Sequence, residues 1–209
     1  MDKINYFLKY QDIVKGLDQN SKPKILVQAC CGPCSTQVLN ELKQYFDITL
    51  YYYNPNIYPF EEFEKRYEQF CLIPNAKVIR GEYEENKFID SISNVKDFAL
   101  LREGSERCYY CYKFRLEETA KKAKLDGYDF FTTTLSISPY KNSDWINELG
   151  EDLEKKYGVK FLYSDFKKKD GYKKSIVFSR EYGLYRQEYC GCKYSLEESL
   201  TTKKDENSK

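Results

Sequence analysis

Cysteine is the residue type whose number and spacing in this sequence point most directly to chemistry. Seven of the eight cysteines lie in three clusters, at 30, 31 and 34, at 108 and 111, and at 190 and 192. Two adjacent cysteines and a distant CxxC offer four thiolates, enough for a [4Fe–4S] cluster or an all-thiolate zinc site. The spacing leaves the choice of metal open but predicts that these cysteines converge. The eighth, Cys71, is predicted to be a small buried hydrophobic residue.

The first cluster also contains a second motif. Residues 31–34 read Cys-Gly-Pro-Cys between a predicted strand and a predicted helix, where a helix N-terminus lowers a thiol pKa. This alternative is a thioredoxin-like thiol–disulfide oxidoreductase using Cys31 and Cys34. Cys30 has no part in that motif and a second CxxC lies far along the chain, which weakens the alternative. A third possibility is a non-catalytic module, held together by zinc on four cysteines, that binds RNA.

The remaining cysteines leave several roles open. Cys190 and Cys192 have one glycine between them, so a disulfide joining them would close a small, strained and easily reduced ring. They are interpreted as a redox pair or as further metal ligands, against an exposed pair without function. Cys34 is a candidate ligand of a second metal, an acid or nucleophile, or simply part of the first helical turn.

Composition excludes several classes of site. The chain has no histidine, which excludes Ser-His-Asp triads and histidine-ligated zinc. With 34 basic and 33 acidic residues the net charge is +1, so the chain is not a globally basic nucleic-acid coat. A local patch remains: Lys167, Lys168 and Lys169 lie near Tyr172 and suit phosphate contact with base stacking. The alternative for this run is a solvated surface.

The cellular setting bears on what the thiols do. The first 20 residues are charged throughout and contain no signal-peptide pattern. No segment approaches the ~20 apolar residues of a membrane span. We therefore expect a cytoplasmic protein, in which paired cysteines serve more often as metal ligands or redox catalysts than as structural disulfides.

The elements that must position these cysteines alternate along the chain. The sequence predicts strands at 24–29, 48–53, 77–79, 128–134 and 159–163, separated by helices of ~10 to 15 residues. This alternation predicts a single-domain α/β fold with a Rossmann-like (HUP-type) parallel sheet flanked by helices. Ligands of such sheets bind beyond the carboxyl ends of the strands, where the first cysteine cluster should lie.

Three segments are expected along the chain. Residues 1–21 form an N-terminal helical extension with Ile4, Phe7 and Leu8 on its apolar side. Residues 22–200 form the Rossmann-like catalytic domain. Residues 201–209 contain no apolar side chain and are predicted to be a disordered tail.

Six motifs occur in one order over residues 22 to 195. Together they resemble the QueH-type epoxyqueuosine reductases of bacteria, and they are far more specific than any single CxxC. The motifs are ACCGPCS at 29–35, YNPNIYP at 53–59, RCYYCYKFRL at 107–116, TTTLSISPYKN at 132–142, DFKK at 165–168 and YRQEYCGC at 185–192.

The resemblance implies a reaction and a set of site residues. The reaction is the two-electron reduction of the epoxide of epoxyqueuosine, in the tRNA anticodon loop, to queuosine, the last step of queuosine biosynthesis. The resemblance implies a [4Fe–4S] cluster and a further iron close by. We expect Cys34 to be a ligand of that iron, the lysines at 167–169 to contact tRNA, and an electron donor of the ferredoxin or flavodoxin type. The family's cluster ligands correspond to Cys30, Cys31, Cys108 and Cys111, and its redox-active pair to Cys190 and Cys192.

Overall fold

The computed structural model describes residues 4–18, 21–93 and 95–207 of the chain. Its centre is a five-stranded sheet in the order β3-β2-β1-β4-β5, and every strand pairing is parallel. This confirms the predicted Rossmann-like α/β fold. The strands are β1 (Lys24–Gln28), β2 (Asp47–Tyr52), β3 (Val78–Arg80), β4 (Phe130–Thr133) and β5 (Lys160–Phe161).

Eight α-helices in the described residues flank the sheet. Some of them follow directly from local sequence signals. For example, the α6 helix begins where the Asn142 side chain accepts two backbone N–H groups, and it ends at Gly158 with a left-handed φ of 69°. The helices are α1 (Tyr6–Lys15), α2 (Gly32–Leu42), α3 (Phe60–Glu68), α4 (Glu85–Ile92), α5 (Glu106–Leu125), α6 (Ser143–Tyr157), α7 (Gly171–Glu181) and α8 (Lys193–Asn207).

The core lies in two layers, one on each face of the sheet. Side chains alternate along each strand, so Ile25 and Val27 of β1 enter one layer while Leu26 enters the other. Helices α1, α2 and α3 contribute to the first layer, and α5 and α6 to the second. Both faces of the sheet are therefore covered, as fully parallel sheets require.

The strand order fixes where a ligand can bind. The chain builds outward from β1 to β2 and β3, then returns to place β4 on the other side of β1. The helices that follow β1 and β4 therefore diverge, which leaves a crevice beyond the carboxyl ends of these two strands. The Cys-Cys pair comes directly after β1, at this crevice.

The position of the CxxC motif depends on where helix α5 begins. Helix α5 starts at Glu106, after Ser105 in an extended conformation. The CxxC motif consequently lies inside the first two turns of the helix. Its two cysteines, three residues apart, share one helix face.

Two expectations for the ends of the chain differ from the structure. Helix α1 buries Tyr6, Tyr10 and Val14, and the two tyrosine rings contact Tyr163 and Phe166. Of the predicted apolar side only Phe7 packs against the core, whereas Leu8 is 53% exposed. Helix α8 runs to Asn207 through most of the predicted tail, which contains no glycine or proline to stop it. Residues 208–209 of that tail lie outside the described residues.

The expectation for Cys71 is wrong. Cys71 is exposed and lies in a short 3-10 turn at Gln69–Leu72. In this turn Phe70 and Ile73 point into the core, so the two residues between them face solvent.

Candidate thiol and metal site

The crevice beyond β1 and β4 is a pocket of about 490 Å³. Segments that are remote in the sequence form its walls, so the pocket depends on the whole fold. Its lining residues are Cys30, Pro33 and Cys34 after β1, Glu103 and Gly104 before α5, Thr134, Leu135, Ser138, Tyr140 and Lys141 after β4, Arg115, Tyr172, and Arg186–Cys190.

A buried polar network holds the strand ends beneath this pocket. The Gln28 side chain donates to Asn54 Oδ1 at 3.0 Å and accepts from Thr133 Oγ1 at 2.8 Å. Asn54 in turn donates to the Ala29 carbonyl oxygen at 2.8 Å. These bonds join the carboxyl ends of β1, β2 and β4, so the backbone from which the Cys-Cys pair departs is fixed.

The first cysteine cluster forms a chain of neighbouring thiols. Cys31 is the N-cap of α2, and its carbonyl oxygen accepts from Ser35 Oγ at 2.9 Å. Cys31 hydrogen-bonds on one side to Cys30 and on the other to Cys34. The bond to Cys31 and burial raise the pKa of Cys30 well above its usual value, despite two nearby arginines.

The thioredoxin-like alternative is not favoured by this geometry. The bond from Cys30 lowers the pKa of Cys31, but the bond to Cys34 and burial raise it more, to about 12. A thioredoxin-type nucleophile needs a lowered pKa to be a thiolate at neutral pH. Cys31 has the opposite shift, because it lies among other thiols and is 1% exposed.

The CxxC cysteines are a buried and a half-buried residue, Cys108 and Cys111. Cys108 accepts the Gly104 backbone N–H at 3.2 Å. Burial raises the pKa of Cys108, and burial raises that of Cys111 to about 12, opposed mainly by the charge of Arg115. Neither thiol would ionise readily without a cation or metal to hold its negative charge.

The CxC loop is fixed by a buried arginine. Arg66 donates to the carbonyl oxygens of Cys190 at 2.9 Å and Tyr189 at 3.2 Å. Gly191 has a φ of 131°, and a Cβ added there would lie 2.9 Å from Arg66 Nη1. Glycine is therefore required between the two cysteines, for the backbone conformation and for the close approach of Arg66.

Four of the thiols line a second, much smaller cavity of about 20 Å³. Aromatic side chains make most of its remaining wall. Cys190 lines both this cavity and the larger pocket, so it lies between the two spaces. The cavity is lined by Asn56, Phe88, Phe98, Arg107, Cys108, Cys111, Tyr112, Cys190, Cys192 and Tyr194.

Three buried arginines and one largely buried lysine lie around the cysteines: Arg66, Arg107, Arg115 and Lys141. The charges of Cys111, Cys30 and Cys190 raise the pKa of Arg115 against the effect of its burial. The bonds of its guanidinium go to an amide oxygen and a carbonyl oxygen. Buried charges are ordinarily paired, so this group is suited to an anionic neighbour.

The unpartnered N–H groups of Arg107 indicate which kind of group the site could bind. Its guanidinium pairs with Glu198 at 2.8 Å, but its buried Nε and Nη1 atoms have no hydrogen-bond partner among the described residues. Arg107 lines the second cavity together with four thiols. Two orphaned donors of a buried cation next to thiols fit an anionic, thiolate-bound neighbour such as an iron–sulfur cluster.

No set of three or more cysteine, aspartate or glutamate side chains in the described part of the chain forms a group that could hold a metal ion as it stands. All eight cysteines are free thiols. Cys30 and Cys111 both interact with Arg115, and Cys30 packs against the core layer that contains Cys108. The first cluster and the CxxC motif thus share one side of the fold.

The predicted lysine run does not line the pocket. Lys167 pairs with Asp165 at 2.8 Å and donates to Ser143 Oγ at 3.0 Å. Lys168 and Lys169 border a separate small cavity next to α1 and α2. The run lies on the loop after β5, adjacent to the carboxyl edge of the sheet.

The cations are the functional residues that sequence reasoning missed. Arg115 follows Cys111 by one helical turn, so its place on the CxxC face could have been anticipated from spacing. Arg66 and Lys141 are 124 and 49 residues from Cys190, whose loop they contact. No local pattern signals contacts over such separations.

The fold and the site together define a class of protein: a Rossmann-like α/β protein whose cysteines and buried cations meet at the switch point of a parallel sheet. A family model described as "Epoxyqueuosine reductase QueH" matches residues 25–198. The chain belongs to this QueH family.

Three relatives illustrate the similarity, and each is named epoxyqueuosine reductase QueH. The protein from Streptococcus pyogenes serotype M1 is 41% identical over 203 residues, covering 92% of this chain and 78% of the relative. The Staphylococcus epidermidis protein is 42% identical over 203 residues, covering 92% of this chain and 85% of the relative. The Thermotoga maritima protein is 41% identical over 175 residues, covering 82% of this chain and 90% of the relative.

Proposed function

We propose that this chain is an epoxyqueuosine reductase, which reduces the epoxide of epoxyqueuosine in the tRNA anticodon loop to queuosine. Membership of the QueH family and the names of its relatives support the activity. The observation that carries the proposal is that thiols from all three clusters line two cavities that share Cys190, the larger of them at the switch point. Since the chain has no histidine, the chemistry depends on thiols, lysine, tyrosine and carboxylates.

We assign the ligands of a [4Fe–4S] cluster to Cys30, Cys31, Cys108 and Cys111. The shared interaction of Cys30 and Cys111 with Arg115 and the burial of Cys31 and Cys108 support this donor set. When bound, the cluster supplies and takes up single electrons, and an additional iron held with the help of Cys34 supplies a Lewis acid for the epoxide oxygen.

Cys190 and Cys192 are proposed as the redox pair. Converting an epoxide to an alkene takes two electrons and two protons and releases water. Two thiols that become a disulfide provide both the electrons and the protons. Cys190 suits this role because it lines the pocket and also the second cavity, which the CxxC thiols Cys108 and Cys111 line as well.

The remaining parts of the proposal concern partners and location. The substrate is tRNA carrying epoxyqueuosine, and Lys167, Lys168 and Lys169 are proposed to contact its phosphates from the loop after β5. Reduction of the disulfide back to the dithiol requires an electron donor of the ferredoxin or flavodoxin type. We place the reaction in the cytoplasm, where thiols stay reduced. No helix in the described residues is long and apolar enough to cross a membrane.

Anaerobic purification followed by turnover tests the proposal. We expect a brown protein absorbing near about 400 nm with about four or five irons per chain, and conversion of epoxyqueuosine to queuosine in isolated tRNA. A colourless protein carrying one tightly bound zinc would support the zinc module instead. A strain that lacks the chain should accumulate the epoxide form in its tRNA; normal queuosine there, with no second reductase present, would refute the tRNA claim.

A further inference from the structure

Lys141 is a buried cation at the pocket that the thiol chemistry alone does not explain. Its side chain is 9% exposed. Its Nζ lies 2.8 Å from Glu103 Oε1 and 2.8 Å from Cys190 Sγ, and all three residues line the pocket. An ammonium group in this position is in contact with the sulfur proposed to give up electrons.

The hydrogen bonds of Lys141 leave room for a ligand. An ammonium group has three N–H donors, and the described residues supply acceptors for two of them. Glu103 fixes the lysine, while a turn fixes its backbone, since the Lys141 N–H donates to the Ser138 carbonyl oxygen at 3.3 Å. The third donor is held at the pocket without reorganisation, which is the condition for effective electrostatic catalysis.

We propose that Lys141 is a catalytic residue that donates a proton to the oxygen leaving the epoxide. This inference rests on the proposed function and adds the proton donor to it. A Lewis acid polarises the oxygen but brings no proton, so a donor is needed at the pocket whether or not a metal is also present. Among the other pocket residues, Glu103 is already engaged by Lys141, and Tyr140 lies 74% exposed at the rim.

The step balances with groups already in the protein. Both C–O bonds of the epoxide break and a C=C bond forms. Cys190 and Cys192 lose two electrons as their S–S bond forms. Lys141 gives one proton to the oxygen and regains a proton from the Cys190 thiol it contacts, and the Cys192 thiol supplies the second proton, so the oxygen leaves as water.

The charge state of Lys141 is consistent with this role. Burial lowers its pKa, but interactions with Cys190, Tyr112 and Glu103 raise it more, to well above the usual value. Lys141 therefore enters the reaction as an ammonium ion. An alkoxide oxygen is a stronger base than a lysine amine, so proton transfer becomes favourable as the C–O bond breaks.

Substitution of Lys141 in the iron-loaded protein tests the inference. We expect Lys141→Met to lower kcat by about 100- to 10,000-fold, the usual range for loss of a general acid, with unchanged iron content and tRNA binding. Lys141→Arg keeps the charge and the Glu103 contact but holds its proton too tightly to release it, so it should also lose kcat while KM stays near wild type. Lys77→Met is the matched control, since Lys77 is ion-paired at the opposite edge of the sheet, and should keep kcat within about twofold.

Rescue by free amines separates proton donation from a structural role. In Lys141→Ala, added methylamine should restore part of the turnover, with rates that follow amine basicity. Wild-type kcat in Lys141→Met or Lys141→Arg, or failure of every amine to rescue folded, iron-loaded Lys141→Ala, would overturn the inference while leaving the reductase proposal intact. Absence of epoxide reduction by the wild-type chain would refute the proposed function, and the inference with it.

Discussion

Replacing Arg107 is predicted to change the free energy of unfolding in opposite directions in the metal-free and the iron-loaded protein. Its side chain is 3% exposed, and its Nε and Nη1 atoms have no partner among the described residues. In the metal-free protein these donors are buried without compensation. In the loaded protein they would face an anionic group. Replacing Arg107 with Met should therefore stabilise the first form and destabilise the second.

The magnitude for the metal-free protein follows from the contacts. Two unsatisfied buried donors cost about 1–3 kcal/mol each, or more for a charged group. Against this, Met loses the contact of the guanidinium with the Tyr194 ring, 5.2 Å away, worth about 0.5–2 kcal/mol. It also loses the pair with Glu198, which is 41% exposed and so worth at most about 1 kcal/mol. Taking the middle of each range, about 4 kcal/mol gained against about 2 kcal/mol lost, we expect Arg107→Met to stabilise the metal-free protein by about 2 kcal/mol.

Urea unfolding under anaerobic conditions measures both states. The metal-free protein is prepared with a chelator, and the loaded protein by reconstitution with iron and sulfide. In the loaded form Arg107→Met should lose charge-assisted hydrogen bonds, so its midpoint falls below that of the wild type and its iron is released faster to the chelator. Arg180→Met on the exposed side of α7 is the control and should change either form by no more than about 0.5 kcal/mol.

Destabilisation of the metal-free protein by Arg107→Met would refute this reasoning, because it would mean that the arginine is satisfied by the protein alone. An equal change in the stability of both forms would refute it as well, since the opposite effects of Arg107→Met depend on an anion bound next to Arg107 in the loaded protein only.

Three further predictions concern other parts of the site. Cys108→Ser should lose iron and brown colour, whereas Cys190→Ser should keep both and lose turnover; full activity of Cys190→Ser would exclude a redox role. Tyr140→Ala should weaken binding of an anticodon stem-loop RNA by about 5- to 150-fold in fluorescence anisotropy, because base stacking on an aromatic ring is worth about 1–3 kcal/mol; Tyr140→Phe should bind normally, and equal binding by both variants would contradict a stacking role. Gly191→Ala should cost about 1–3 kcal/mol in urea unfolding through strain at positive φ and contact with Arg66; wild-type stability would show that the loop can relax.

The fold was predictable because its signals are local and periodic. The strand at Lys24–Gln28 and the helix at Ser143–Tyr157 show their character within a few residues, through apolar runs, caps and a terminal glycine. Alternation of strands and helices then restricts the topology to a parallel sheet. The position of the first cysteine cluster at the sheet edge followed from the same rule.

What could not be predicted depends on contacts between distant segments. Cys71 was misjudged because a 3-10 turn buries Phe70 and the following Ile73 and so leaves the residues between them facing solvent. Arg66 and Lys141 reach the Cys190 loop only after folding brings their segments together. A sequence pattern can show that thiols cluster, but the cations that hold their charge are known only once the packing is known.

The most direct test of the central claim is an iron anomalous-difference map from crystals grown without oxygen. The account predicts a multi-iron peak bridging the sulfurs of Cys30, Cys31, Cys108 and Cys111, beside the pocket that Lys141 and Cys190 line. A map with iron bound elsewhere, or with these four sulfurs bound to no iron while the protein still reduces epoxyqueuosine, would contradict it.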